Sequence, residues 1–332
     1  MQIEEDVLLA PLTTFNIGGP AKFFVRARTV EDIKEALAFA KEKSLKIFVL
    51  GGGSNVLVPD DGFDGLVIKN ELRGMERDGD TYLAAAGEPW DALCARAAGD
   101  GLWGLENLSG IPGTVGGAVV QNIGAYGAAL SQMLQWVEVL DTALGEVRHI
   151  PKSECAFGYR TSIYKQEPGR HVVLRAAFKL SATAVPNIGY RDLADHFAGT
   201  RPGLADIRAA ILLIRSQKFP DLSQEGTAGS FFLNPTVPAA AAQELKERYP
   251  DMPLFAMPET SAVKVPLGWI LDRVLNLRGY RLGEVRLFEK QALVIVATRS
   301  AKACDVRLLA DKIKKEVQEK IGMAVQEEVK II

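Results

Sequence analysis

KIFVLGGGSNVLV, residues 46–58, is an apolar run that breaks on three glycines and then resumes. Its first half is short and rich in β-branched and aromatic side chains, which favours a strand. Upstream, KFFVRAR at Lys22 to Arg28 predicts another strand. Between the two, Thr29 can cap a helix through TVEDIKEALAFAKEKS, where Ile33, Ala36, Leu37 and Ala40 make one apolar face. The order is β-α-β, and it runs into a glycine loop at Gly51 to Asn55. The residues after the loop, from Val56 on, are strand-like, so the loop does not open a helix. A dinucleotide fingerprint would need a third glycine where Val56 stands and a helix N-terminus to hold a pyrophosphate, although Glu71 lies where its acidic residue would be. GGGSN offers instead a nest of consecutive backbone N–H groups without Cβ atoms, which can wrap a diphosphate or simply make a tight turn.

Beyond the loop, VLV, a Pro-Asp-Asp-Gly turn, LVIK and YLAAA predict further strands, and Pro89 suits the first position of a helix reaching about Ala98. GIPGTVGGAVVQNIGAYG, Gly110 to Gly127, carries six glycines, too many for a regular helix unless something must approach closely. It is expected to be a second ligand loop. Strands are predicted at WVEVLD, EVRHI and HVVLRAAFKL, the last alternating so that Val172, Leu174, Ala176, Phe178 and Leu180 share a face. Helices are expected over Leu204 to Lys218, Pro238 to Arg248 and Leu267 to Asn276. After the strand LVIVAT comes a long helix opening at Ser300, whose Val306, Leu309, Ile313, Val317 and Ile321 keep a helical spacing and which Gly322 can end. AVQEEVKII finishes the chain as an extended piece.

With 332 residues, 48% of them apolar, the chain can bury about two domain cores. Lys plus Arg total 39 against 41 Asp plus Glu, scattered along the chain, so there is no basic field for a polyphosphate backbone and no nucleic-acid partner is expected. Cys94, Cys155 and Cys304 have no CxxC spacing, and His149, His171 and His196 lie far apart, so no metal site is expected. The start, MQIEEDVLLAPLTTF, is acidic with only a short apolar patch, and no stretch of about 18 apolar residues occurs. A cytoplasmic protein with no membrane association is the expectation, and nothing calls for more than a monomer.

Two separated glycine-rich loops in one domain are what a long dinucleotide such as FAD needs. GGGSN at 51–55, GLENLSGIPGTVGGAVVQNIGAYG at 104–127, CAFGYRTSIY at 155–164, GSFFLNP at 229–235 and EEVKII at 327–332 together resemble the UDP-N-acetylenolpyruvoylglucosamine reductase family. The similarity spans nearly the whole chain in the right order. It implies an α+β protein, with a two-lobed FAD-binding domain of the vanillyl-alcohol oxidase/p-cresol methylhydroxylase type followed by a smaller α+β substrate-binding domain. The expected boundaries are 14–184 for the first, with its lobes split near 70, then 200–322 for the second and 323–332 for a terminal segment bearing a catalytic glutamate.

The resemblance implies non-covalent FAD, NADPH as hydride donor and UDP-N-acetylenolpyruvoylglucosamine as substrate, reduced to UDP-N-acetylmuramate in a cytoplasmic step of peptidoglycan synthesis. Cofactor contacts are expected from Gly51, Gly52, Gly53, Ser54 and Asn55, and from Gly113, Thr114, Gly116, Gly117, Asn122, Gly124, Ala125 and Tyr126. Hydride added to the terminal vinyl carbon leaves an enolate spread toward a carboxylate. Arg160, in the family's Tyr-Arg-x-Ser motif, matches the residue that meets this charge, since a guanidinium pairs bidentately with carboxylate oxygens. Ser230 matches the family's proton donor to the other carbon. Glu328 matches a glutamate that shares in stabilising the enolate. Glu327 stands where the family has proline and is the competing carboxylate, although successive residues of a strand face opposite ways. Lys218 matches a lysine that meets the diphosphate, Tyr190 a tyrosine on a substrate-covering loop, and Asn234 a substrate contact after the serine motif.

Taken singly, each of these has a plainer explanation. An arginine after a tyrosine is usually a surface charge, Ser-Phe-Phe usually a strand start, and Tyr190 in a Gly-Tyr turn as often a packed anchor. Cys155 reads as a buried apolar residue. Two rival functions remain: an FAD-dependent oxidase of the same fold, many of which tether flavin through His or Cys, and a non-catalytic flavin or nucleotide-sugar binding protein. No His lies in or beside either glycine loop, and a binding module has no use for a proton donor.

Overall fold

The structure is a computed structural model, and it describes residues 1–257 and 261–332. The chain forms two units. The first comprises Met1–Leu8, Pro20–Gly53 and Gly62–Ser216, and the second Leu9–Gly19, Ser54–Asp61 and Gln217–Ile332.

The first unit holds the β-α-β opening. Strands β1 (Ile3–Leu8), β2 (Pro20–Ala27), β3 (Lys46–Leu50) and β4 (Phe63–Asn70) form one sheet in the order β1-β2-β4-β3, with β2 and β3 both parallel to β4. Helix α1 (Val30–Glu42) is the crossover between β2 and β3. Thr29 caps it as a complete capping box: the Asp32 N–H donates to the Thr29 hydroxyl at 3.1 Å, and the Thr29 N–H donates to the Asp32 carboxylate at 2.9 Å. Ile33, Ala36 and Ala40 pack against Val25, Leu66 and Ile68 of the sheet.

A second sheet is antiparallel throughout. It contains β5 (Met75–Asp78), β6 (Thr81–Ala85), β7 (Leu134–Asp141), β8 (Glu146–Pro151) and β9 (His171–Lys179), in the order β8-β7-β9-β6-β5. Between β6 and β7 lie α2 (Trp90–Gly99) and α3 (Val115–Gln121), and α4 (Leu204–Lys218) comes after β9. The expected alternation of β9 is corrected here. Val172 and Leu174 join the core beneath α1, whereas Ala176, Phe178 and Leu180 join a different one with Trp90 and Leu93. The cause is a register shift opposite Glu138 and Val139, where Arg175 and Val173 are the partners and Leu174 is left over. One extra residue moves every later side chain to the other face.

In the second unit, β10 (Val285–Phe288) and β11 (Gln291–Ala297) pair antiparallel, with Arg281–Leu282 at the edge. Helix α5 (Ala303–Ile321) buries Val306, Leu309, Ile313 and Val317 in the core of this unit, each worth about 1.5–3 kcal/mol on burial. Its first N–H groups are met by Asp60, whose carboxylate accepts from Ala303 at 2.7 Å and Cys304 at 3.0 Å. Gly322, at φ +82°, ends it. The helix expected over Leu267 to Asn276 is one short α turn, Leu267–Trp269, followed by a π turn, Ile270–Val274. There the Leu275 N–H reaches back to Ile270, and Ile270 and Leu271 are both fully buried. The terminal segment adds a strand, Lys330–Ile331, in parallel register with Val56 and Leu57.

Candidate active site

One candidate site is made where two glycine segments of the first unit meet. Strand β3 ends at Leu50, and the chain bends through Gly51 to Gly53, the last at φ +65°, without starting a helix. A Cβ on Gly52 would lie 2.5 Å from the Gly113 Cα, and one on Gly51 2.7 Å from the Thr114 Oγ1. The loops therefore touch backbone to backbone, which only glycine permits. Thr114 Oγ1 is buried with no hydrogen-bond partner among the described residues, and the N–H groups of Gly52 and Gly53 make no hydrogen bond there either. Donors and an acceptor so placed fit a diphosphate with its ribityl or ribose hydroxyls.

The second segment is more regular than expected, because Val115–Gln121 is the helix α3. Of its two glycines, Gly116 is required because it abuts Ala86: its N–H donates to the Ala86 carbonyl at 2.9 Å, and a Cβ would sit 2.9 Å from the Ala86 Cβ. Asn122 ends the helix in the left-handed region, φ +43°. Its side chain is spent on protein, donating to the Gly158 carbonyl at 2.9 Å and accepting from the Ser131 N–H at 3.1 Å.

That bond ties the loop to the turn bearing Arg160. Arg160 itself is at φ +55°, and its guanidinium donates to the Gly124 carbonyl at 2.8 Å. Lys165 braces the turn by donating to the Arg160 carbonyl at 3.1 Å, and Ser162 donates to the Val120 carbonyl at 2.7 Å. An arginine held in an uncommon backbone region by four surrounding bonds is positioned rather than merely present. Cys155 lies under the turn, fully buried, with its sulfur 3.1 Å from the Tyr164 hydroxyl.

Tyr126, also left-handed at φ +47°, packs edge-on against Tyr190 with ring centroids 5.4 Å apart. Burial pushes the Tyr126 hydroxyl up to about 12. Asn107, which sequence reasoning passed over within GLENL, donates to the carbonyls of Tyr126 at 2.7 Å and Asn187 at 2.8 Å. It thus fastens the Tyr190 segment to the second glycine loop. A further unforeseen bond set is Asp91, paired bidentately with Arg208 at 2.7 and 2.8 Å and accepting from the Gly110 N–H at 2.6 Å. Arg208 lies on α4, the helix that ends in Lys218. No spacing rule could have found these pairs, since Asp91 and Arg208 are 117 residues apart.

A second group of candidate residues belongs to the second unit. Gly229, at φ +77°, turns the chain into Ser230, which bridges to Val294 of β11, and the Phe231 N–H donates to the Leu293 carbonyl at 2.8 Å. On its other edge this segment meets the chain end. Phe232 bridges to Glu327, and the Glu328 N–H donates to the Phe231 carbonyl at 2.8 Å. Asn55 completes the join: its amide donates to the Glu328 carbonyl at 3.1 Å, and its own carbonyl accepts from the Lys330 N–H at 3.0 Å. The segments that carry Ser230, Glu328 and Asn55 are thereby adjacent. Glu327 forms an ion pair with Lys314 of α5. Asn234 accepts from the Leu267 N–H at 3.0 Å. Among the described residues no group of three or more His, Cys, Asp or Glu could hold a metal ion, and no helix is long and apolar enough to cross a membrane.

Comparison with known proteins matches both parts of the chain. Residues 21–151 match the model of an FAD-binding domain, and residues 221–332 match that of the C-terminal domain of UDP-N-acetylenolpyruvoylglucosamine reductase. Proteins named UDP-N-acetylenolpyruvoylglucosamine reductase from Pseudomonas fluorescens and Chromobacterium violaceum are 36% and 39% identical to it. The alignments cover 99% and 100% of this chain and 98% and 99% of theirs. The crystal structure of the enzyme of that type from Thermus caldophilus superposes with a TM-score of 0.72 at 27% identity, covering 100% of this chain and 99% of the other. With relatives this similar along its full length, the chain belongs to the UDP-N-acetylenolpyruvoylglucosamine reductase family.

Proposed function

We propose that this protein is the FAD-dependent, NADPH-consuming reductase of the enolpyruvyl ether in UDP-N-acetylenolpyruvoylglucosamine, giving UDP-N-acetylmuramate in the cytoplasm for peptidoglycan synthesis, and that it works as a monomer. Its catalytic groups are Arg160, Ser230 and Glu328. The observation that carries the assignment is the seam at the chain end, where Glu328 is bonded to the residue after Ser230 while Glu327 is turned to Lys314. Two neighbours in an extended segment face opposite ways, and Lys314 takes up the Glu327 carboxylate, which supports Glu328 as the catalytic one.

Bound FAD supplies the hydride that NADPH has delivered to it, and the two touching glycine loops with their open N–H groups suit its diphosphate. The remaining work falls to side chains. Arg160 binds the substrate carboxylate and meets the charge that develops on it, from a turn already fixed by Asn122, Ser162 and Lys165. Glu328 assists as the neutral acid, since only a protonated carboxyl can donate a hydrogen bond to an enolate. Ser230 gives its proton to the carbon next to the carboxylate. A serine is a weak acid, and the reaction is feasible because the enolate is strongly basic and the donor is held still. Lys218 meets the diphosphate of the nucleotide sugar, Asn234 contributes to the sugar site, and Tyr190 covers the bound substrate from its place against Tyr126.

Stopped-flow absorbance separates the two half-reactions. NADPH should bleach the flavin, and anaerobic addition of the nucleotide-sugar substrate should restore it. In Ser230→Ala the bleaching should persist while the return slows by roughly 10²- to 10⁴-fold, the range for a lost general acid. A protein that binds no flavin, or a Ser230→Ala variant that slows both halves equally, would overturn this assignment.

A further inference from the structure

Lys69 sits on β4 beside Leu50 of β3, and its ammonium donates to the carbonyl of Gly51, the first residue of the glycine loop. It has no ion-pair partner among the described residues. The nearby carboxylate of Glu71 is taken up by Arg26 and Arg28. Burial pulls the Lys69 ammonium below its ordinary value. A half-buried ammonium without an ion pair is costly to keep, and an anion beside it offsets that cost.

The bond to Gly51 also has a directional effect. The peptide between Gly51 and Gly52 is trans, since no cis bond occurs among the described residues, so its C=O and N–H point opposite ways. Holding the carbonyl toward Lys69 turns the Gly52 N–H away from it. Neither that N–H nor the one on the buried Gly53 has an acceptor among the described residues. Gly53 is buried and Gly52 half-buried, and N–H groups left open in such places are uncommon.

We propose that Lys69 is an anchoring residue for the cofactor's diphosphate: by gripping the Gly51 carbonyl it aims the Gly52 N–H at the anion, and it places a positive charge behind the loop. The inference rests on the reading that the chain binds FAD. Glycine loops in general need no lysine to make a nest, so the contribution is particular to this chain's own strand β4.

Equilibrium dialysis of the holoenzyme measures its dissociation constants for FAD and, after exchange, for riboflavin, which carries the same ring system without a diphosphate. Lys69→Met should weaken FAD by about 10- to 100-fold, the worth of a lost charged hydrogen bond, and leave riboflavin within about two-fold. Lys69→Arg, which keeps charge and donors, should recover most of the FAD affinity. Unchanged FAD affinity in Lys69→Met overturns the proposal, and so does an equal loss for both flavins, which marks a brace that supports the loop without regard to the anion. If the methionine variant does not fold, Lys69→Gln carries the same two contrasts. A wild-type protein that binds neither flavin would instead sink the FAD reading itself.

Discussion

Replacing Gly52 with alanine tests the meeting of the two glycine loops. The new Cβ would lie 2.5 Å from the Gly113 Cα and 3.0 Å from its carbonyl carbon, where carbon atoms normally rest about 3.5–4.0 Å apart. Both obstacles are backbone, so no rotamer change can relieve them and the loops must part by about 1 Å. Overpacking of this kind costs about 1–3 kcal/mol. Against this, alanine recovers about 0.5–1 kcal/mol by restricting the unfolded chain. The net loss is about 1–2 kcal/mol, which for a unit of this size lowers Tm by roughly 2–8 °C. Gly99→Ala is the matching control. It lies at the end of α2 with nothing within 4 Å of its added Cβ, so it should raise Tm by roughly 1–4 °C. Thermal unfolding of the flavin-free protein followed by circular dichroism reads both, and dialysis should show weaker FAD binding for Gly52→Ala alone. If Gly52→Ala stabilised the protein as Gly99→Ala does, the loops would not be in contact and the cradle argument would fail.

Glu328→Ala should lower turnover by roughly 10²- to 10⁴-fold, whereas Glu327→Ala should keep turnover and cost at most about 1 kcal/mol for its partly exposed pair with Lys314; the reverse order in a steady-state assay would reassign the carboxylate. Asp91→Asn should cost about 1–3 kcal/mol by denaturant titration, because Arg208 and the Gly110 N–H both lose a charged partner. Hydrogen bonds from Arg208 hold the Asp91 carboxyl below its ordinary range, so its stabilisation is whole above about pH 4 and is lost as the pH falls through the lowered folded value. The Tm of the wild type should therefore drop more steeply in acid than that of Asp91→Asn. With a disulfide-exchange thiol reagent the native protein should react at Cys304 alone, since Cys94 and Cys155 are buried and burial pushes both thiols up. Three equivalents after denaturation and more than one before it would contradict the packing beneath Arg160.

What the sequence disclosed was whatever depends on neighbours along the chain. Thr29 and its helix, the strand that stops at Gly51, and α5 with Gly322 behind it arise from local caps and periodicity, and all are present. The motif order led to the family that the full-length relatives bear out. Features set by distant partners stayed hidden. The bulge that turns β9 over at Leu174 depends on its pairing with β7, and the glycine at 116 in the helix of the glycine-rich segment is required by Ala86, which leaves no room for a Cβ. Lys69, Asn107 and Asp91 were invisible for the same reason: each is an ordinary polar residue until its partner's carbonyl or guanidinium is placed beside it.

The join between Asn55 and Glu328 spans 273 residues of chain. The second unit takes its strand at Val56–Leu57 from early in the sequence, but that strand has no partner until Lys330 and Ile331 have been made. On a ribosome, the glycine loop's far side must wait exposed while the whole first unit is synthesised and folds past it. Closing so long a loop is slow, and a waiting strand is open to pairing with the wrong chain. A newborn molecule can own both glycine loops and Arg160 and still lack the seam that holds Glu328, so competence in this protein arrives late in biosynthesis and all at once.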